Sequence, residues 1–209
     1  MEQQRDLSYN EGSTMKTDII ILSKTPSLIS KCLQSLNKHV PKEAIGKVFV
    51  GITAERDSKE ELGCIDIAEH NGSCLPIQIV RLGFYNFARN CNIIASMCRS
   101  ECVLFMNDDV ELTENAISPC LNVLEHDESV GTVGIKLLYP DGSIQHGGIF
   151  LACYNGMPAV GHIDFKKKSS SVGDIWTVGN TAAFMMVRTK DFNWLQGFPE
   201  GYDVCFEDV

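Results

Sequence analysis

Residues 102–109 read Cys102-Val103-Leu104-Phe105-Met106-Asn107-Asp108-Asp109. Five apolar residues with no polar alternation describe a short strand buried on both faces. The change at Asn107 is abrupt, for a carboxamide and two carboxylates follow at once. In an open α/β sheet, ligands collect at the carboxyl ends of strands, where loops gather. Adjacent oxygen donors at such a place make a hard site of the kind Mg²⁺ or Mn²⁺ prefers. An ion held there can bridge and neutralise a diphosphate. On composition alone, a polar turn that merely ends a strand reads the same way.

Moving upstream, Ile19-Ile20-Ile21-Leu22 is a second continuous apolar run. Ser23-Lys24-Thr25-Pro26 reads as a loop feeding a helix, with Thr25 as N-cap and Pro26 at the first helical position. Leu28, Ile29, Cys32, Leu33 and Leu36 continue at helical spacing up to His39-Val40-Pro41. Strands are expected at Val48 to Ile52 and Pro76 to Val80, separated by a polar, mixed segment from Thr53 to Asn71. A helix from about Asn86 to Arg99 places Phe87, Cys91, Ile94, Ala95 and Cys98 on one face. Downstream, Ser118-Pro119 starts a helix through Cys120, Leu121, Val123 and Leu124. This alternation is the pattern of a parallel sheet with crossover helices.

The second half changes character. Val133 to Tyr139 is strand-like, Pro140-Asp141-Gly142-Ser143 is a turn, and Ile144 to Leu151 resumes. Lys166-Lys167-Lys168 with Ser169-Ser170-Ser171 reads as a solvated loop, with an anionic-ligand patch as the alternative. Ala182 to Val187 is a buried strand, and a short helix near Asp191 to Leu195 stops at Gly197.

Composition narrows the function. The chain of 209 residues, 44% hydrophobic and 22% charged, is that of a globular domain. No apolar run exceeds the length of Ala182 to Val187, six residues, which is far short of the roughly 20 of a membrane helix. Eighteen Lys and Arg against 27 Asp and Glu give −9, with no basic stripe to track a nucleic-acid backbone. Nucleic acid is therefore not an expected partner. The nine cysteines lack a Cys-x-x-Cys pair and several fall inside apolar runs, so they read as small reduced hydrophobes of a cytosolic protein. A zinc site from Cys98, Cys102 and a histidine is a minor alternative. Residues 1–17 contain no apolar signal-peptide core, and Asn71-Gly72-Ser73 reads as a turn.

Taken in order, several segments resemble the GT-A domain of a family 2 glycosyltransferase. They begin with Asp18-Ile19-Ile20-Ile21-Leu22-Ser23, Phe87-Ala88-Arg89-Asn90 and Leu104 to Val110. Gly134 to Gly148, with Pro140-Asp141-Gly142-Ser143-Ile144-Gln145-His146 at its centre, follows. Thr181 to Arg188, Gly197-Phe198 and Phe206-Glu207-Asp208-Val209 complete the set. The resemblance implies a mostly parallel, Rossmann-like central sheet flanked by helices, with a smaller mixed or antiparallel C-terminal part. It divides the chain into a polar extension at 1–16 and a GT-A domain at 17–209. Within that domain, 17–112 would be the nucleotide-binding half and 113–209 the acceptor-side half.

The implied activity is inverting, metal-assisted transfer of a sugar from a nucleotide-diphosphate sugar to a glycan or lipid-linked acceptor. Synthesis of a cell-surface glycan from the cytosolic side, at the inner face of a membrane, is the expected setting. By the same resemblance Asn107-Asp108-Asp109 falls on the family's Asp-x-Asp signature. Asp109, with Asn107, would hold a divalent cation (Mn²⁺ or Mg²⁺), and Asp108 would contact ribose or sugar. Ser23, Lys24 and Thr25 match the first nucleotide-binding loop, Arg89 and Asn90 lie near base and sugar, and His146 is a candidate ligand contact. Asp208 is the expected general base, with Glu207 beside it.

Two positions depart from the family. The first acid of the signature is Asn107, a neutral donor that weakens metal affinity. The acid that reads the base after the second strand has no clean counterpart in Gly51 to Asp57, where Glu55 or Asp57 would have to substitute. The family continues into a helix after Glu207-Asp208, so a longer native chain with additional domains is expected. The main rival is a nucleotide-sugar-binding module or pseudoenzyme without transfer activity. A nucleotidyltransferase is a weaker one, because Ser23-Lys24-Thr25-Pro26 lacks the glycines of its phosphate loop.

Overall fold

Strand and helix alternate through the first half of the computed structural model, which describes residues 13–168 and 174–201. The order is β1 (Thr17–Ser23), α1 (Pro26–His39), β2 (Ile45–Ile52), α2 (Lys59–Asn71), β3 (Ile77–Arg81), α3 (Phe87–Ala95), β4 (Cys102–Met106) and α4 (Ile117–His126). Short strands follow: β5 (Thr132–Gly134), β6 (Leu137–Leu138), β7 (Ile144–His146), β8 (Ile149–Tyr154) and β9 (Met157–His162). The last described elements are β10 (Phe184–Arg188) and α5 (Thr189–Trp194). The central sheet runs β3-β2-β1-β4-β10-β5. Its first four strands are parallel, and β10 is antiparallel to both of its neighbours.

The apolar runs are continuous because helices cover both faces of this sheet. Side chains alternate along each strand. Ile19 and Ile21 of β1 join Leu104 and Met106 of β4 on the face packed by Ile29 and Leu33 of α1 and Leu121 and Leu124 of α4. Ile20 and Phe105 point to the other face, against Cys91 and Ile94 of α3 and Phe192 of α5. The cysteines of these runs are free thiols in the core. Burial pushes Cys98, Cys102 and Cys120 up to about 12, so they stay protonated and apolar in role.

The structure corrects several element boundaries. The polar segment 53–71 contains α2, whose N-terminus is capped by Ser58 accepting the Glu61 N–H at 3.1 Å. The third helix ends at Ala95 rather than Arg99. There the Asp18 carboxylate, only 3% exposed, accepts the N–H groups of Arg99 at 2.6 Å and Ser100 at 3.0 Å and turns the chain into β4. The segment 133–139 is two strands, one in the central sheet and one paired with β7. The run 144–151 breaks at Gly148, whose φ of +110° excludes other residues. Helix α5 stops before Gly197, but the left-handed residue that follows its C-cap is Gln196 (φ +66°), and Gly197 (φ +80°) comes next, its N–H donating to Phe192 O at 3.0 Å.

Two further buried charges hold elements together. Arg188 at the end of β10 is 5% exposed and donates to Leu124 O (2.6 and 3.0 Å), Asp127 O (2.7 Å) and Val130 O (2.7 Å). These are carbonyls at and just after the C-terminus of α4, where a cation is also favoured by the helix dipole. Glu61, fully buried, accepts from Arg81 at 2.8 and 2.9 Å and from the Asp57 N–H at 2.6 Å. The Arg81 hydrogen bonds come first in holding its carboxyl below the ordinary range.

Replacing Arg188 by Leu strips donors from three carbonyls at once, and urea unfolding should show a loss of about 3–5 kcal/mol. Glu61 has a native pKa below its unfolded one, so its stabilisation is present above the unfolded value and lost as pH falls through the native one. Glu61→Gln should therefore lower the melting temperature at neutral pH, and the gap from the parent should close in acid. A gap that persists in acid would mean the carboxylate charge is not what matters.

Candidate active site

At the carboxyl ends of β1, β2 and β4 the sheet opens into a cleft of about 400 Å³. One wall is Ser23-Lys24-Thr25, leading into α1, and the floor is Met106 to Asp109. Thr53, the first residue past β2, and Tyr85 and Phe87 at the start of α3 complete the lining. The walls are fixed by backbone bonds. Thr53 N–H donates to Ser23 O at 2.9 Å and Asn107 N–H to Ala183 O at 3.0 Å, carrying the β4–β10 pairing one residue beyond the strand.

Ser23 is the joint between the two central strand ends. Its hydroxyl donates to Asp108 Oδ2 at 2.6 Å and accepts the Thr25 N–H at 3.2 Å. Burial lifts the Asp108 carboxyl above its ordinary value and the negative charge of Asp109 adds to this, while the Ser23 bond and Lys24 oppose it. Thr25 occupies the N-cap position of α1 as expected, but its side chain makes no capping bond; its carbonyl accepts the first helical N–H groups, of Leu28 and Ile29. Lys24 extends over the Tyr85 ring, with Nζ 5.8 Å from the centroid.

Asn107 and Asp109 both expose their side chains to the cleft. Asp109 has no hydrogen bond or ion pair among the described residues, so its oxygens are available. A carboxylate and a carboxamide are the hard oxygen donors that Mg²⁺ or Mn²⁺ takes. Among the described residues no three His, Cys, Asp or Glu side chains converge into a metal cage. Asn107 and Asp109 would hold such an ion only as part of its shell, with other ligands completing it.

The other candidates lie behind or beyond this cleft. Arg89 is exposed at the start of α3, where Asn86 caps its N–H at 2.9 Å, and its guanidinium sits 5.4 Å from the Phe84 ring centroid. Asn90 is fully buried; its amide donates to Phe84 O at 2.8 Å, and its Oδ1 has no partner among the described residues. It fixes the loop that presents Tyr85. His146 is buried away from the cleft wall, its Nδ1 at 2.9 Å from Nδ1 of His162 and its Nε2 at 3.4 Å from the Thr181 N–H. Glu55 and Asp57 are exposed and do not line the cleft; Asp57 instead bonds Arg81 at 3.4 Å. Glu207 and Asp208 lie outside the described residues. Sequence reasoning overlooked Thr53 and Tyr85, although the strand-end rule that singled out Asn107 applies equally to Thr53.

Known proteins share both the pattern and the fold. The family model for glycosyl transferase family 2 matches residues 63–193. The chain is 29% identical over 138 residues to the O-antigen biosynthesis protein RfbC of Myxococcus xanthus, covering 60% of this chain and 10% of that protein. It is 32% identical over 164 residues to protein y4gI of Sinorhizobium fredii, covering 75% of this chain and 17% of that one. Structural likeness extends to GalNAc-T7 with UDP, GalNAc and Mn²⁺ (TM-score 0.69, 14% identity, 93% of this chain and 39% of that one). S. aureus TarS 1–349 aligns at 0.63 with 20% identity over 93% of this chain and 53% of that one. Mannosyltransferase PcManGT from Pyrobaculum calidifontis, in complex with GDP-Man and Mn²⁺, aligns at 0.60 with 14% identity over 90% of this chain and 48% of that one. These neighbours share the GT-A fold. A matched stretch running from α2 to α5, on a sheet of that architecture, establishes that the chain belongs to glycosyl transferase family 2.

Proposed function

We propose that this chain binds a nucleotide-diphosphate sugar in the β1–β4 cleft and transfers the sugar, with inversion, to a hydroxyl of a glycan or lipid-linked acceptor. The observation that carries this reading is the strand-end constellation. Ser23 and Asp108 are locked together at 2.6 Å, and Asp109 stands exposed beside them in a cleft of about 400 Å³. The likeness to an O-antigen biosynthesis protein supports a glycan as the acceptor class. The cytosolic face of a membrane is the proposed setting; among the described residues no helix is long and apolar enough to cross one.

In this reading Lys24 and Thr25 hold the nucleotide, and Tyr85 provides an aromatic surface beside it. Ionised Asp108 accepts a hydroxyl of ribose or sugar, its carboxylate already oriented by Ser23. Asp109 and Asn107 would hold a divalent cation, which when bound compensates the charge that develops on the departing diphosphate. Asp208 takes the proton from the acceptor hydroxyl as its oxygen attacks the anomeric carbon, with Glu207 adjacent. Asn107, neutral where the family carries an acid, favours the second reading of a domain that binds donor without transferring it. The two readings separate on turnover.

Calorimetry with UDP- and GDP-sugars should show donor binding that needs Mn²⁺ and weakens in Asp109→Ala. Asp208→Asn should leave donor affinity nearly unchanged and slow transfer by roughly 10²–10⁴-fold. Equal affinity in EDTA would remove the metal-assisted reading, and full binding without turnover in the parent would favour the binding module.

A pH profile tests Ser23. Its hydrogen bond favours ionised Asp108, so Ser23→Ala should raise the Asp108 pKa further. Donor affinity, lost as pH falls through that pKa, should then begin to fail at a higher pH than in the parent. An unshifted profile would mean Asp108 does not contact donor in its charged form.

A further inference from the structure

Of the fifteen large apolar side chains exposed among the described residues, nine lie between Leu138 and Val178. Their centre is the β8–β9 ribbon, paired from Ile149 with His162 to Tyr154 with Met157. It turns at Asn155-Gly156, where both φ angles are positive (+50° and +79°), as a two-residue hairpin requires. The root is tied down. Ile149 is buried and its N–H donates to Gly179 O at 3.0 Å, Ile163 N–H donates to Gly148 O at 2.9 Å, and the His146 and His162 rings meet.

Beyond the root, apolar groups stand on both faces. Leu151 (69% exposed) and Val160 oppose each other on one. Phe150, its ring against Gly161, and Met157 (69% exposed) share the other. A lone two-stranded ribbon is marginal in water without a covered face. A docked protein, or a second copy, covers one face and leaves the other wet. An amphipathic lipid interface surrounds both. Beyond Ile149 the ribbon's outer edges have no strand partner among the described residues, which keeps it out of the hydrocarbon centre, where backbone groups have no partners. Its six paired positions rise about 20 Å, ample for the 5–10 Å depth of an interfacial element.

Charge is the independent observation. Lys166-Lys167-Lys168 is the only place where lysines or arginines are adjacent in a chain of net charge −9. Backbone bonds from Lys166 N–H to Ile144 O (2.8 Å) and from Ile144 N–H to Lys167 O (2.9 Å) fix it beside β7, at the ribbon's root. All three lysines are exposed. Lys167 pairs with Asp164 at 2.5 Å and Lys166 lies over the Phe165 ring at 5.3 Å. Across residues 136–178 four lysines (Lys136, Lys166, Lys167 and Lys168) stand against three aspartates (Asp141, Asp164 and Asp174), a small positive balance on a strongly negative molecule. Trp176, 54% exposed, precedes Val178, whose N–H donates to Ile149 O at 3.2 Å. An apolar blade with tryptophan and lysine at its base is the layout of an interfacial membrane anchor.

We propose that the β8–β9 ribbon and the Lys166–Lys168 root form a docking surface for anionic lipid bilayers. The ribbon enters the boundary between headgroups and acyl chains, and Lys166 and Lys168 lie at headgroup level. The surface is separate from the donor cleft, and its test uses no nucleotide, so the two readings fail independently.

The test is co-sedimentation of the chain with vesicles of phosphatidylcholine, alone and with about 30% phosphatidylglycerol. In a Trp194→Phe background, Trp176 emission should shift to the blue with the anionic vesicles only. Lys166→Ala with Lys168→Ala should weaken binding about 25-fold, or about fivefold for each lysine. Leu151→Ser with Met157→Ser should weaken it tenfold or more. These positions are exposed, so the melting temperature should not move, which separates lost docking from lost folding. Absence of binding to anionic vesicles overturns the proposal, as does binding that ignores the Leu151 and Met157 changes. Lipid-free self-association abolished by the same two serines overturns it in favour of a second copy.

Discussion

Strand β4 has no free side. Its edges are hydrogen-bonded to β1 and β10, and its residues are buried on both faces, so five consecutive positions accept only apolar groups. Polar chemistry becomes possible only where that enclosure stops, at Asn107. The cleft exists because β1 ends at the same level and Ser23 reaches across to Asp108. The cleft lining, from Lys24 to Thr53 and Tyr85, is arranged around that one joint between two strand ends.

Elsewhere single buried polar groups do comparable work at the seams between elements. Arg188 closes the end of α4 onto β10, and Asp18 turns the chain from α3 into β4. Asn90 anchors the loop that carries Tyr85, leaving its own carbonyl oxygen unmatched. Each spends one polar side chain to fix a joint that apolar packing, which has no directionality, leaves loose.

The sequence was most legible where burial is two-sided. Continuous apolar runs revealed β1, β2, β4 and β10, and the strand-end rule located Asn107 to Asp109. What escaped reading depends on polar partners distant along the chain. Helix α2 has a polar face, and its Glu61 is buried only because Arg81, twenty residues on, neutralises it. The antiparallel direction of β10 and the break at Gly148 follow from tertiary pairing, which local periodicity does not record. His146 was recognisable as a marked position, yet its partner His162 lies across a hairpin that no alternation announced.

The placement of β10 has a consequence for how the chain assembles. β4 is complete by residue 106, but its second edge is filled by residues 184–188. A ribosome adding about 5–20 residues per second leaves that apolar edge open for several seconds after β1 to β4 can pair. An unpaired, hydrophobic strand edge is the element most prone to pairing with another chain. The nascent molecule is therefore most vulnerable to aggregation while its four parallel strands are already formed. Chaperone demand should concentrate in that interval, and a truncation before β10 should be insoluble rather than merely inactive.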